Sequence, residues 1–376
     1  MSIEKTLKNI SCKEYCNIHN FKYSIKLKEG SQRIYIPEYG QNLETDNYID
    51  VKYPEIYIAE LNSVNIIGAN YIIFDQDNYC IYDLPFMDEE NKFSLIINNT
   101  ISADKNVTCI NYNEPIETID EGIMLIAGCS FNFSHFHTEV LSKLCLIDEV
   151  DEYNNVPILI DEICGRTQQF LEELEMLNKK GRKIIFLKKG YVYNVKKLIY
   201  ISDLGIYPFN IKAGYLLKNK DCVFNERGIK LLNEKLSIKS NIFRKIFISR
   251  RNTYNPRLEN QDTVEQIFVD NGYEIIFPEL MSFIEKLKLF SEAEVIAGAY
   301  GAGFTNILFA NKNAKIICIQ PKEIEWPWIS NIAGILGQQS YFIDAKLSKE
   351  TPFIYYQNSF KLDEDHLSKF LKQFPY

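Results

Sequence analysis

The stretch Val295-Ile-Ala-Gly-Ala-Tyr-Gly-Ala-Gly-Phe-Thr-Asn306 decides how this chain is read. An apolar run enters three glycines, Gly298, Gly301 and Gly303, and a helix-like segment follows. A strand that breaks into such a turn and then a helix leaves backbone N–H groups unpaired at its tip. Those donors, with the positive end of the helix dipole, suit a phosphate. The spacing is neither the dinucleotide fingerprint GxGxxG nor a phosphate-binding Walker loop, since no Gly-Lys-Ser/Thr follows. The same stretch also reads as a plain tight turn that needs positive φ and close backbone packing.

Around this loop the pattern alternates. A helix is expected over 225–236, then strands over 245–249, 273–276, 294–297 and 315–319. Between them come helices over 262–271, 282–291 and 304–310. Upstream the same rhythm runs through a strand at 123–128, a helix at 134–146, a strand at 157–160, a helix at 166–178 and a strand at 183–187. Alternation of this kind predicts βα units and parallel sheets. Before residue 120 the chain changes character. Residues 1–30 read as a polar lead-in with a short helix. Short β-runs between 33 and 83, punctuated by Gly68-Ala-Asn and Asp75-Gln-Asp-Asn, read as an antiparallel meander. The expected division is a β-rich extension over 1–120, α/β domains over 121–238 and 239–350, and a C-terminal stretch over 351–376. The connection is placed at 237–243, and an amphipathic helix at 363–374 is expected to pack back across the domains. Ligands of open α/β sheets sit at the carboxyl ends of strands, where every motif below falls.

Composition bounds the function. The chain has 376 residues, and domains usually hold about 100–200, so two are expected. Its 42 basic and 50 acidic residues give a net charge of −8, which argues against a general nucleic-acid binder. The 24 Tyr and 24 Phe suggest an aromatic core, although sugar sites also use such rings. Nine scattered cysteines without a CxxC pair read as reduced thiols. Cys12, Cys16 and His19 lack a fourth partner for a structural zinc. Residues 1–20 carry no apolar signal region, and no apolar run reaches the ~20 residues that span a bilayer. A cytoplasmic protein is expected, with peripheral attachment to the inner face of the membrane left open.

Two further motifs carry chemistry. Phe247-Ile-Ser-Arg-Arg251 is a strand ending in two arginines, with Arg257 a few residues on; the guanidinium fork matches phosphate oxygens. The plain alternative is a solvated basic turn. In Asn132-Phe-Ser-His-Phe-His-Thr-Glu139, His135 and Glu139 share one helix face while His137 points elsewhere. A His and a Glu one turn apart form an oriented general base. The plain alternative is a capped helix start at Ser134 with a packed imidazole.

Together these residues resemble glycosyltransferase family 61. The family's N-x-x-H-F-x-x-E-x-L-x-x-L stretch is matched from Asn132 to Leu144. Its strand ending in S-R-R is matched by Ser249, Arg250 and Arg251. A P-E-x-x-[ST] turn and amphipathic helix are matched by Pro278, Glu279, Ser282 and the segment to Ser291. G-x-H-G-A-G-x-T-N-x-x-F is matched by Gly298, Gly301, Ala302, Gly303, Thr305, Asn306 and Phe309, with Pro321 beyond. The likeness covers about residues 120–345. Tyr300 stands where the family usually has His, and Lys286 where Gln is common. A tyrosine donates a hydrogen bond but does not become a cation near neutral pH.

The resemblance implies a GT-B-like α/β fold, two Rossmann-like domains facing a cleft, here with an N-terminal β-rich meander. It implies inverting transfer of a sugar from a nucleotide-sugar donor to a glycan or lipid-linked glycan acceptor, in surface polysaccharide assembly. No cofactor and no essential metal are expected. Asp75-Gln-Asp77 lies in the meander and reads as a turn. His135 would be the base, oriented by Glu139. Arg250, Arg251 and the backbone around Gly301–Gly303 would hold the leaving diphosphate, with Thr305 and Asn306 at the helix start. Glu279 or Glu285 would hold the ribose. Two alternatives stand beside this reading: an enzyme similar to polysaccharide pyruvyltransferases, and a non-catalytic scaffold, which Tyr300 and Lys286 favour.

Overall fold

The computed structural model describes residues 2–39, 47–81, 99–104, 106–113, 117–207, 218–240, 242–348 and 358–374. Residues 40–46, 82 and 83 of the expected meander, Asn241 of the expected connection, and residues 351–357, 375 and 376 lie outside them. The chain forms two compact units. Unit 1 comprises residues 1–32 and 52–215, and unit 2 residues 33–51 and 216–376.

Unit 1 is built on one mixed sheet, with eleven strands among the described residues. In chain order these are β1 (Ser2–Ile10), β2 (Tyr23–Leu27), β3 (Ile56–Ile67), β4 (Ile73–Phe74), β5 (Tyr79–Ile81), β6 (Thr100–Ala103), β7 (Val107–Asn113), β8 (Glu117–Met124), β9 (Ile158–Asp161), β10 (Ile184–Leu187) and β11 (Val192–Ile201). The spatial order is β10-β9-β8-β11-β3-β4-β5-β1-β7-β6, with β2 also on β3. Strands β10, β9, β8 and β11 run parallel, and β11 then pairs antiparallel with β3.

Three expectations change here. The polar lead-in opens with a nine-residue strand, β1, joined to β7 and β5, and the expected short helix follows it over Cys12–His19. Its lysines hide an alternation in which Leu7 is buried while Glu4, Thr6 and Lys8 face water, and the strand ends on buried Ile10. The division expected at residue 120 is no break in the sheet, because β8 and β3 both pair with β11. Strand β11 escaped the reading because Lys196 and Lys197 interrupt its apolar pattern. Its buried positions nevertheless include Val195 and Leu198, which join Leu61, Val64 and Ile119 in the core. The β3-β4-β5 meander itself is present.

Unit 2 holds a five-stranded, wholly parallel sheet. Its strands are β12 (Arg244–Ile248), β13 (Glu274–Ile276), β14 (Ala293–Ala299), β15 (Lys315–Gln320) and β16 (Gln339–Asp344). The spatial order is β13-β12-β14-β15-β16, which in order of appearance is 2-1-3-4-5. Helices Gln261–Asp270, Phe283–Ser291 and Trp328–Leu336 form three of the crossovers. The central strands bury Ile246, Phe247, Val295, Ile296, Ile316 and Ile317 completely, as expected where helices cover both faces. The segment 33–39 belongs to this unit. Tyr35 lies against Gly334, and its backbone exchanges bonds with Asn331 and Ser330. The final helix, Glu364–Gln373, packs on helix Gln261–Asp270 of the same unit, where Asn260 bonds Leu362 and Glu364.

Two irregular helices matter for function. The segment after the glycine loop, Ala302–Phe309, is a 3₁₀ helix rather than an α-helix. The helix of residues 133–147 is α-helical at both ends but π-helical over Phe136–Leu141. There the Ser142 N–H reaches back five residues to the His137 carbonyl. The Thr138 hydroxyl donates to the Ser134 carbonyl at 2.9 Å and the Ser142 hydroxyl to the Thr138 carbonyl at 2.6 Å. Side-chain donors thus occupy carbonyls that the widened turn takes out of the usual ladder.

Candidate active site

In unit 2 the order 2-1-3-4-5 has its switch point between β12 and β14. Open parallel sheets of this order bind ligands in the crevice beyond the carboxyl ends of those two strands. Ser249 and Arg250 follow β12, and Tyr300–Gly303 follow β14.

Arg250 and Gly301 are fitted to each other. A Cβ on Gly301 would lie 1.9 Å from Arg250 Nη1 and 2.7 Å from its Cζ, so the guanidinium rests directly on the glycine backbone. Gly301 has φ 162° and ψ 167°, extended values that any residue adopts. The glycine is needed for the close approach of Arg250, not for a left-handed turn. Gly298 serves β12 in the same way, since a Cβ there would lie 3.1 Å from the Ile248 carbonyl oxygen.

The half-buried Arg250 donates from Nη2 to the Asn255 carbonyl at 2.9 Å. Its Nε is buried without a hydrogen-bond partner among the described residues. Burial, then the like charge of Arg257, pushes the Arg250 guanidinium down to about 10, while Tyr300 and Glu279 pull the other way. Arg257 sits over the Tyr300 ring, 5.4 Å from its centroid. Tyr300 is buried, packs edge-on against Trp328, and has its hydroxyl pushed well above its usual range by that burial. A neutral ring with a guanidinium over it therefore occupies the position where the family's His was expected.

The other expected unit 2 residues divide. Ala302 and Gly303 are half-exposed, whereas Thr305 and Asn306 are buried beneath the loop. Thr305 Oγ1 and Asn306 Oδ1 have no hydrogen-bond partner among the described residues, and Asn306 Nδ2 donates to the Gly303 carbonyl at 2.8 Å. Phe304 N–H is taken by the Gly301 carbonyl, so amides 301–303 stand ahead of the helix ladder. Glu279 is exposed but within electrostatic reach of Arg250. Arg251 points away, paired with Glu265 at 2.6 Å and Asp262 at 3.0 Å. Glu285 forms a capping box with Ser282, donors at 2.7 and 2.8 Å. Lys286 is fully buried on the same helix, its Nζ 5.6 Å from the Phe283 ring centroid.

In unit 1 the Nδ1 of His135 lies 2.9 Å from Glu139 Oε2. Glu139 is buried, and the Tyr71 hydroxyl donates to its Oε1 at 3.2 Å. Burial pushes the Glu139 carboxyl up, and His135 opposes this. One turn further on, buried Lys143 pairs with Asp203 at 2.5 Å. His135 keeps 13% of its side chain exposed, and its ring lies 4.0 Å from that of Tyr207. The cap of this helix is Asn132, whose side chain accepts from Ser134 N–H; the Ser134 hydroxyl instead meets that of Tyr207 at 2.6 Å. His137 is wholly buried between the Phe133 carbonyl at 2.7 Å and Glu173 at 2.6 Å, a structural position. At the front of the chain Cys12 and Cys16 are buried thiols whose sulfurs lie 4.0 Å apart, and His19 stacks on Phe21. Asp75 accepts from Tyr79 N–H and the Tyr15 hydroxyl, as a turn residue does.

The glycosyltransferase 61 family model matches residues 133–317, a span that holds both constellations. Over that stretch the chain belongs to glycosyltransferase family 61. No curated protein matches the chain. The match supports a transferase, and a glycosyltransferase would use a sugar donor and an acceptor. Among the described residues no helix is long and apolar enough to cross a membrane.

The family motifs drew attention to Arg250, Gly301, His135 and Glu139. They did not single out Arg257 or Asp161. Arg257 had a weak signal, a third arginine soon after a strand end. Asp161 had only its place, a carboxylate closing an apolar strand.

Proposed function

We propose that the protein is an inverting, nucleotide-sugar-dependent glycosyltransferase of GT-B-like organisation, acting in surface polysaccharide assembly at the cytoplasmic side of the membrane. The observation that carries the reading is Arg250 laid on Gly301, with Arg257 beside it, at the switch point of the unit 2 sheet. Two guanidinium groups in mutual repulsion favour an anion. A leaving nucleoside diphosphate gathers negative charge, and positioned donors stabilise it where that charge develops. Arg257 supplies the cation that Tyr300 does not. The half-exposed Ala302 and Gly303 offer backbone amides to the same oxygens, and no metal ion is required in this scheme.

His135 is the base. With its Nδ1 proton directed to Glu139, its Nε2 is the basic nitrogen, and it takes the proton of the acceptor hydroxyl as the new glycosidic bond forms. Glu139 orients the ring and balances the imidazolium. Arg251 and Glu285 have structural roles in this scheme, and Glu279 is kept as a ribose contact.

A thermal-shift screen with UDP, GDP and their sugars tests the donor half. At least one nucleotide should raise the melting temperature, and Arg250→Ala should abolish the effect. Silence toward every nucleotide would favour the scaffold reading. His135→Ala should lower turnover by about 10²–10⁴-fold with donor affinity nearly intact. Lost donor affinity with turnover preserved would refute the base assignment.

A further inference from the structure

Unit 1 contains a cavity of about 370 Å³ beyond the carboxyl ends of β8, β9 and β10. Its lining includes Gly128 and Ser130 after β8, Asp161 at the end of β9, and Leu187 at the end of β10. None of these belongs to the constellations above. The volume falls at the low end of the usual range for ligand sites, about 300–1,000 Å³.

The lining has two kinds of surface. Phe131, 63% exposed, offers a ring face, and Ile163 and Leu187 extend the apolar side. Opposed to them in character is Asp161, 2% exposed. Its Oδ2 accepts from the Ser130 hydroxyl at 2.5 Å and its Oδ1 from Ala69 N–H at 2.6 Å, with the Ala127 amide also in reach. A carboxylate has about four lone-pair sites, so room remains for one further donor. Charge in the lining is balanced: Glu162 pairs with Arg166 at 2.9 Å, and Lys189 stands against Asp161 in the count. An apolar face, a fixed acceptor and no net charge suit a neutral sugar ring. Such a ring stacks its C–H face on an aromatic and donates a hydroxyl from its edge.

The cavity also has a short route to the base. The Gly128 backbone that lines it bonds the Tyr71 hydroxyl, and that hydroxyl donates to Glu139, the partner of His135. All these residues lie in unit 1.

We propose that this cavity is the acceptor subsite, holding one neutral sugar ring of the acceptor between Phe131 and Asp161. This rests on the glycosyltransferase reading. Asp161 touches substrate as an anchoring hydrogen-bond acceptor, and His135 remains the base.

The test is saturation-transfer NMR of the full chain with methyl glycosides of glucose, galactose, mannose and N-acetylglucosamine. UDP and GDP thermal shifts are recorded on the same samples. At least one glycoside should show transfer, and Phe131→Ala and Asp161→Asn should each cut it more than fivefold. Both variants should keep the nucleotide response, which also reports that they are folded. Glu285→Ala, which removes a helix-capping carboxylate of unit 2, should leave the glycoside signal unchanged. If nucleotides bind but no glycoside does, or if the two cavity variants retain the full signal, the subsite is overturned and the transferase reading stands. A glycoside signal sensitive to Phe131 in a chain that answers to no nucleotide overturns the acceptor role together with the reading beneath it.

Discussion

Gly301→Ala tests the contact on which the donor site depends. The added Cβ would meet Arg250 Nη1 at 1.9 Å, about 1.5 Å closer than ordinary van der Waals contact begins. The guanidinium has to retreat by that amount, which breaks its 2.9 Å bond to the Asn255 carbonyl. A hydrogen bond from a charged group is worth about 1.5–3 kcal/mol. Urea denaturation should therefore show a loss of about 2 kcal/mol, with nucleotide affinity falling roughly thirtyfold. The backbone itself should tolerate alanine, since φ at 301 is extended. In an Arg250→Ala background the obstructing group is gone, and the same substitution should change stability by less than about 0.5 kcal/mol. The double-mutant cycle then gives a coupling near 2 kcal/mol, large for two residues 51 positions apart in sequence. Equal destabilisation in both backgrounds would refute the steric argument and return Gly301 to an ordinary turn.

Three other outcomes follow from particular contacts. Burial pushes the Asp161 carboxyl from 3.8 to about 6, so its neutral form favours the fold; that contribution is full below pH 3.8 and lost as pH rises through about 6. Asp161→Asn should match wild type near pH 4 and exceed it by up to about 3 kcal/mol above pH 7, read by urea denaturation; a gap that does not change with pH would contradict this. Glu285→Ala removes half of a capping box and should cost about 1 kcal/mol of stability without altering any nucleotide-induced thermal shift. Tyr300→Phe keeps the ring beneath Arg257 and should hold nucleotide affinity within about fivefold, whereas Tyr300→Ala, which removes the ring, should weaken it further.

Much of unit 2 was legible because its strands are unbroken apolar runs. Ile246–Ile248, Val295–Ala297 and Ile316–Ile319 are buried on both faces and carry no competing signal. Unit 1 was harder. Strands β1 and β11 are interrupted by lysines, Lys5 and Lys8 in one and Lys196 and Lys197 in the other, so window by window they look polar. The His135–Glu139 pairing followed from helical spacing, and a bond of 2.9 Å joins them. The π-turn between them was not legible, since it depends on Thr138 and Ser142 donating to carbonyls one turn back. Arg250 and Arg251 are adjacent and chemically alike. Only the helix Gln261–Asp270 separates them, because it brings Glu265 and Asp262 to Arg251 and leaves Arg250 to the loop.

The sequence by itself determined the alternating elements, the family, and which residue types stand at the strand ends. Those properties are local: hydrophobic period, glycine, and motif order along one chain. The tertiary structure decided what the residues do. Strand order placed the ends of β12 and β14 side by side, and a guanidinium 51 residues away explains why position 301 has no side chain. Burial turned Asp161 from the last letter of a strand into a group whose proton affinity differs from that of a free aspartate. Both effects act through space between groups distant in sequence, and no local pattern encodes the distance.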